Sequence, residues 1–211
     1  MSKRSASDIA PPVSLEKEQE DALRAQLEDA MDKGQVTVDD EEMGEAVPLA
    51  ELLGACESGD AAAVAALLEA TPDLLAQQDD EGDTALHTAC LYGHLAVVEL
   101  LLGKGADPLA LDEDNSTPLH DASAGGHASI VRLLLACENI NPCAQDNDGD
   151  HPLHLACNGG HAGVASLLLG HAGGRMRAQL LSCRNAAGAT PLELCEEPMV
   201  RTVIERAAAE P

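Results

Sequence analysis

The run Ser116-Thr117-Pro118-Leu119-His120-Asp121-Ala122 is the clearest indicator of the fold, because similar runs occur three more times in the chain. The related runs are Asp83-Thr84-Ala85-Leu86-His87-Thr88-Ala89, Asp150-His151-Pro152-Leu153-His154-Leu155-Ala156 and Ala189-Thr190-Pro191-Leu192-Glu193-Leu194-Cys195. Their central leucines stand at positions 86, 119, 153 and 192, so the steps are 33, 34 and 39 residues. Self-similarity at such a period predicts a repeat architecture.

The residues of each run predict where a first helix begins and ends. Thr84 and Thr117 are well suited to cap a helix, and a proline directly after such a cap tolerates the missing amide hydrogen. A second histidine stands seven residues after each central histidine and directly follows a glycine, in the pairs Gly93-His94, Gly126-His127 and Gly160-His161. A left-handed backbone costs glycine nothing, so these glycines predict helix ends.

The aliphatic run after each Gly-His pair predicts a second, buried helix. Acidic stretches with glycine or asparagine, such as 79–82 and 146–149, predict the turns between units. Tyr92 is the only aromatic residue of the chain. Large single cores draw much of their burial from rings, so thin layers of Leu, Val and Ala favour a stack in which each unit buries its neighbour.

The Thr-Pro-Leu-His-x-Ala run at a period near 33, with its Gly-His corner, resembles the ankyrin repeat family. The resemblance implies an all-α solenoid of helix-turn-helix units with short β-hairpin or turn fingers. It covers residues 47–206, divided into a cap 47–78, repeats 79–111, 112–145 and 146–184, and a terminal cap 185–206. The run Leu91-Tyr92-Gly93-His94 is also similar to the sequences of small plant-type ankyrin-repeat proteins.

Two departures from the pattern stand out. The segment from His171 to Arg184 carries about half a dozen extra residues and is locally basic. We expect it to lengthen the second helix of its unit or to form a loop. His151 replaces the usual threonine cap, which predicts a less firm start for the third full repeat.

Residues 1–46 form an acidic extension before the repeats. It comprises a disordered start, a helix predicted from Leu15 to about Lys33, and an acidic linker. The apolar stripe of this helix is thin. It leaves two alternatives open, a helix that frays and a helix that docks on the solenoid or on a partner.

The charge of the chain limits its partners. It has 37 acidic against 12 basic residues, a net charge of -25. Phosphate backbones and anionic membranes repel such a polyanion, so we predict no direct nucleic-acid binding and no membrane binding. The charge favours a basic protein partner or serves solubility alone. Seven cysteines, no signal-peptide stretch and no apolar segment of membrane-spanning length predict a soluble, reduced protein of the cytoplasm, the nucleus or both. We also expect a monomer.

Metal and catalytic sites are not predicted. The four-apart pairs Cys90/His94 and Cys157/His161 are interrupted by glycine, and no CxxC-type cluster occurs. Neither acidic turn has the glycine and glutamate that a calcium loop needs. No hydrolase, phosphate-loop or HExxH motif is present. Asp121 remains either an inward polar partner or a surface acid, and we predict neither a cofactor nor an enzyme.

The resemblance also implies where a protein partner binds, because ankyrin proteins bind mostly through the turn tips and the exposed face of the first helices. The matching positions are Asp80, Glu81, Asp83, Leu91, Tyr92, Glu113, Asp114, Ser116, Ala124, Gly125, Asn147, Asp148, Asp150, Asn158 and Gly159. Leu91 and Tyr92 are either a binding anchor or an isolated exposed pair.

The sequence therefore predicts a non-catalytic interaction module, an adaptor or chaperone-like escort that holds a basic protein in an acidic concave groove. The alternative is a regulatory or inhibitory subunit of an enzyme or a transcription factor.

Overall fold

The computed structural model describes residues 46–209, and within this range the chain is helical with no strand. The elements are α1 (Ala46–Ser58), α2 (Ala61–Ala70), a 3₁₀ helix (Pro72–Ala76), α3 (Ala85–Tyr92), α4 (Leu95–Gly103), α5 (Pro118–Ala124), α6 (Ala128–Leu135), α7 (Pro152–Asn158), α8 (Ala162–His171), α9 (Gly174–Ser182), α10 (Pro191–Leu194) and α11 (Pro198–Ala209). The helix predicted for residues 15–33 and the predicted disordered start lie outside the described residues.

The helices stack in two rows. The first helices of successive units, α1, α3, α5, α7 and α10, pack on one another in that order, and the second helices, α2, α4, α6, α8 and α11, form a parallel row. Each first helix also contacts the second helix of its own unit in the three central units. The prediction of an all-α repeat solenoid is confirmed.

The core consists of thin aliphatic layers between these rows. The motif leucines Leu86, Leu119 and Leu153 are fully buried, and Leu101, Leu134 and Leu168 fill the matching place on the second helices. Full burial of such a side chain contributes about 1.5–3 kcal/mol. The buried hydrophobic residues of the described range include no aromatic ring, so stacking of many small layers takes the place of one large core.

The first histidine of each central unit holds the start of its helix. Nδ1 of His120 lies 3.0 Å from the amide nitrogen of Thr117 and 2.9 Å from its hydroxyl. The amide hydrogen needs an acceptor, so Nδ1 is unprotonated and Nε2 carries the proton, which it donates to the Ala144 carbonyl at 3.1 Å. Burial lowers the pKa of His120. The neutral ring thus joins the helix start to the turn that leads into the next unit.

The second histidine of each unit links neighbouring units. Gly93, Gly126 and Gly160 adopt the left-handed backbone, with φ of 83°, 75° and 75°, and turn the chain at the end of the first helix. Nε2 of the following His94, His127 and His161 donates to the carbonyls of Glu57, Leu91 and Ala124 at 2.8, 2.9 and 2.9 Å. Each acceptor belongs to the preceding unit, so the Gly-His corners hold the stack in register.

The third full repeat begins differently. His151 stands at the N-cap of α7 and is fully buried, with its ring 4.0 Å from the ring of His154. Neither ring nitrogen of His151 has a hydrogen-bond partner, and burial together with His154 and His120 lowers its pKa to about 3. The Thr hydroxyl contact of the other repeats is missing here, whereas the His151 amide still donates to Nδ1 of His154 at 3.3 Å. A less firm start of this repeat stays a prediction.

The expectation for the segment 171–184 was wrong. It neither lengthens α8 nor forms a loop, because the backbone becomes extended at Ala172 and a separate helix, α9, begins at Gly174. Two successive glycines after Ala172 disfavour continuation of α8, since each costs about 1 kcal/mol relative to alanine in a helix. Full burial of Leu180 fixes the new helix against α10 and α11.

Candidate partner-binding surface

The turns between units are four fingers of one design. In the first, Oδ1 of Asp79 accepts from the amides of Glu81 and Asp83, both at 2.9 Å, and the Asp79 amide donates to the Asp83 carbonyl at 3.0 Å. In the turns led by Asp112, Asp146 and Asn185 the side-chain oxygen of the leading residue likewise accepts from the amide four residues on, and its own amide donates to the carbonyl of that residue. The acid or amide that opens each finger is therefore used by the backbone.

The fingers are bonded to one another. The Glu113 amide donates to the Glu81 carbonyl at 3.1 Å, the Asn147 amide to the Asp114 carbonyl at 2.8 Å, and the Ala186 amide to the Asp148 carbonyl at 2.7 Å. Each of these bonds joins the tip of one finger to the tip of the next. The tip side chains are consequently held at a fixed spacing along the stack. The sequence did not predict these bonds between fingers.

The structure separates the predicted binding residues into two groups. Those exposed to solvent are Asp80, Glu81, Leu91, Tyr92, Glu113, Asp114, Ala124, Asn147, Asp148, Asn158 and Gly159. Those partly buried are Asp83, Ser116, Gly125 and Asp150.

The partly buried finger residues already have partners within the fold. Ser116 donates its amide to Asp112, and Oδ1 of Asp150 accepts from Nδ2 of Asn185 at 2.8 Å. Exposed Asn147 is also engaged, since its Nδ2 donates to the Glu113 carbonyl at 3.1 Å. These residues brace the fingers, and the carboxylates left on the outer side belong to Asp80, Glu81, Glu113, Asp114 and Asp148.

Leu91 and Tyr92 lie at the end of α3 and are 42% and 48% exposed. The neighbouring Glu57 carboxylate, through hydrogen bonding and its negative charge, raises the pKa of Tyr92. The Leu91 carbonyl is held by His127. The pair is therefore presented to solvent from a backbone that His127 holds at Leu91.

Burial and neighbouring acidic side chains raise the pKa of two aspartates, Asp83 and Asp121. Burial, followed by the charges of Asp79, Asp112 and Glu81, raises the pKa of Asp83 to about 6. Burial, with Asp83 and Asp112, raises the pKa of Asp121 to about 8. Asp121 is partly buried and its Oδ2 is enclosed without a hydrogen-bond partner. Of the two alternatives that the sequence left open, the inward position is the observed one.

The cysteines and histidines serve the fold. All seven cysteines are free thiols. Burial raises the pKa of Cys56 to about 12 and raises those of Cys90 and Cys157 strongly as well, so these thiols are poor nucleophiles. Within residues 46–209 no three side chains of His, Cys, Asp or Glu are grouped to hold a metal ion. No helix of this range has both the length and the apolarity to cross a membrane.

Comparison with known proteins places this geometry in a family. A model of three consecutive ankyrin repeats matches residues 52–146, and a single-repeat model matches residues 148–179. Scaffold protein ILK of Cavia porcellus, of Mus musculus and of Homo sapiens is each 47% identical over 51 residues, which cover 24% of this chain and 11% of that protein. The chain thus spans about a tenth of the length of these relatives. Its repeats, stacked helices and solvent-facing fingers are those of a protein–protein interaction module, and the chain belongs to the ankyrin repeat family.

Proposed function

We propose that the chain is a non-catalytic adaptor or escort that holds a basic protein segment against its fingers. The observation that carries the proposal is the row of outward carboxylates, Asp80, Glu81, Glu113, Asp114 and Asp148, on fingers joined by backbone hydrogen bonds. A rigid row loses little conformational entropy when a partner binds, which favours affinity.

Charge supports a basic partner. Between Asp79 and Asp150 the only basic residues are Lys104 and Arg132. The field of this face attracts Lys- and Arg-rich segments, speeds their encounter and weakens with salt. The same field opposes nucleic acid, and we propose that the chain does not bind it directly.

Leu91 and Tyr92 supply the apolar part of the proposed surface. Tyrosine is enriched among residues that dominate interface energies, because its ring buries a large area at a small entropic cost. The ring stands at the end of α3, the helix that follows the first finger. We propose that it fixes the register of a segment whose approach the carboxylates direct.

The test is affinity capture with the full chain at low and at high salt, with the bound proteins identified and their binding constants measured. In one variant Asp80, Glu81, Glu113 and Asp114 become Asn or Gln, which removes four finger charges. We expect it to weaken binding at low salt at least tenfold and to flatten the salt dependence. Tyr92→Ala is expected to weaken binding at both salt concentrations.

A matched control removes four exposed acids away from the fingers, with the changes Glu69→Gln, Asp73→Asn, Glu99→Gln and Glu138→Gln. Its net charge equals that of the finger variant, so it separates the finger surface from overall charge. Equal weakening by both variants, or a complex that ignores salt and the finger charges, contradicts the proposal.

We further propose that the chain works as a monomer in a reducing compartment, the cytoplasm or the nucleus. Seven free cysteines, four of them buried, support this placement, because oxidising compartments favour disulfides. Fractionation of cells that express the tagged full chain tests it, and recovery from a secreted fraction with paired cysteines contradicts it.

A further inference from the structure

The start of the third full repeat differs from the other two in its capping residue. In the first two repeats the N-cap threonine places its hydroxyl 2.9 Å from Nδ1 of the motif histidine, in the pairs Thr84/His87 and Thr117/His120. A hydroxyl is both a donor and an acceptor, so it can keep this hydrogen bond when Nδ1 gains a proton. In the third repeat His151 replaces the threonine, and α7 begins without that hydroxyl.

The motif histidine of the third repeat, His154, therefore lacks the group that accommodates a second proton. Its Nδ1 accepts from the His151 amide at 3.3 Å, and its Nε2 donates to the Ala189 carbonyl at 3.2 Å. A proton on Nδ1 sets two N–H groups against each other and breaks the bond to the His151 amide. Oδ1 of Asp150 is 3.8 Å from Nδ1 and already accepts from Nδ2 of Asn185 at 2.8 Å. The start of α7 thus depends on a neutral His154.

The ring of His151 is itself enclosed. The side chain is fully buried, its ring centroid lies 4.0 Å from that of His154, and neither ring nitrogen has a hydrogen-bond partner among the described residues. A charge in this place loses its hydration and meets a second imidazole. Burial, followed by the charges of His154 and His120, lowers the pKa of His151 to about 3 and outweighs the opposite effect of the Leu180 and His151 carbonyls.

Charged and titratable groups on the neighbouring elements do not offset this effect. From α5, which packs against α7, His120 lowers the pKa of His151 further. In the finger before α7, Asp150 and Asp146 raise the pKa of His154 by less than burial lowers it. The other titratable side chains of the helices packed against α7 are Asp121 of α5, exposed His171 of α8 and exposed Glu193 of α10.

The two imidazoles lie at the junction between the third repeat and the C-terminal helices α9, α10 and α11. The short helix α10 packs on α7, and the Ala189 carbonyl that His154 holds lies just before α10. The carbonyl of Leu180, on α9, is near enough to act on His151. We propose that mild acid opens this junction and that His151 is the group that makes it open. The device does not rest on the function proposed for the fingers.

The direction and size of the effect follow from linkage. A histidine whose pKa is lowered on folding contributes its full stability above its ordinary pKa of 6.5 and loses that contribution as the pH falls toward the folded value. Each pH unit below 6.5 therefore multiplies the opening constant about tenfold, until the folded pKa of about 3 is reached. Between pH 7.5 and pH 5.5 His151 alone raises the opening constant about tenfold.

Two buried cysteines report where the chain opens. Cys90 and Cys157 hold the same place in the first and third repeats, each three residues after the motif histidine, and both are fully buried. The experiment labels the native full chain with N-ethylmaleimide at pH 7.5, 6.5 and 5.5 and measures the labelling rate of each cysteine by mass spectrometry. Wild type is compared at each pH with His151→Asn, which keeps a good N-cap residue that does not titrate. At a given pH the reactivity of the thiol with the reagent is the same in both proteins and cancels.

We expect the ratio of wild-type to His151→Asn labelling at Cys157 to rise about tenfold from pH 7.5 to pH 5.5, and the same ratio at Cys90 to stay constant. His151→Thr restores the threonine of the other repeats and is expected to behave as His151→Asn does. His171→Gln removes an exposed histidine outside the junction and is expected to follow wild type at both cysteines. Circular dichroism at pH 7.5 establishes that each variant is folded. A Cys157 ratio that does not change with pH in whichever His151 variant is folded, or an equal rise at Cys90, overturns the proposal.

Discussion

Replacing Asp121 by Asn is expected to stabilise the protein, and to do so increasingly as the pH rises. The side chain lies on α5, partly buried, with Oδ2 enclosed and unpartnered. Burial and the charges of Asp83 and Asp112 raise its pKa from 3.8 to about 8. The folded protein therefore holds this carboxyl as the neutral acid at neutral pH, which an asparagine imitates in shape and charge.

The magnitude follows from the two pKa values. An acid whose pKa is raised on folding contributes fully to stability below the unfolded pKa and loses that contribution as the pH rises to the folded pKa. Each pH unit between the unfolded and the folded pKa lowers the free energy of unfolding by about 1.36 kcal/mol. From 3.8 to pH 7 the cost reaches about 4 kcal/mol, a large part of the ~5–15 kcal/mol that stabilises an ordinary domain. Asparagine does not titrate and avoids it.

The assay is urea unfolding of both proteins from pH 4 to pH 9, followed by far-UV circular dichroism. Burial lowers the pKa of His87, His120 and His154, so both proteins lose stability as the pH falls below about 6.5. This contribution cancels in the difference between them. The difference in unfolding free energy is expected to be small at pH 4, to grow to a few kcal/mol by pH 7 and to level off above pH 8.

A difference that stays constant over this range contradicts a raised pKa of Asp121, because a constant offset means that Asp121 titrates alike in the folded and unfolded states. Asp114→Asn is the matched control. It makes the same chemical change at an exposed finger position, and we expect it to alter stability by less than about 0.5 kcal/mol at each pH.

Three further changes test the fold. Gly126→Ala forces a left-handed backbone on alanine and places its Cβ against the ring of His161, so we expect a loss of at least about 1–2 kcal/mol in urea unfolding, whereas Gly103→Ala meets open space and is expected to be neutral or stabilising. Leu180→Ala removes the buried contact of α9 and is expected to cost about 2–5 kcal/mol in the same assay; a smaller loss contradicts the docking of that helix. Arg184→Gln breaks an exposed 3.0 Å ion pair with Glu193, and calorimetry is expected to show less than about 1 kcal/mol.

The repeat fold could be predicted from the sequence because its determinants are local and recur. Leu119 and His120 hold the same places in every central unit as their counterparts 33 or 34 residues away. One glycine at each corner fixes the end of the first helix. Residues at such positions indicate the repeat fold regardless of which side chains surround them.

Other features depend on contacts between residues far apart in the sequence, so the repeat pattern could not predict them. The bonds between finger tips join backbone atoms, so no residue type identifies them. The pKa of Asp121 depends on Asp83 and Asp112, which belong to two different fingers. The independent helix α9 was missed because the burial of Leu180, which selects a helix over a loop, depends on α10 and α11.

Hydrogen–deuterium exchange of the full chain, with and without its captured partner, shows directly which surface the partner covers. We predict that binding slows exchange at the finger residues 79–83 and 112–116 and around Tyr92, and that the effect disappears in the finger-charge variant. Slowed exchange confined to the second helices α4, α6 and α8, with the fingers unchanged, contradicts it.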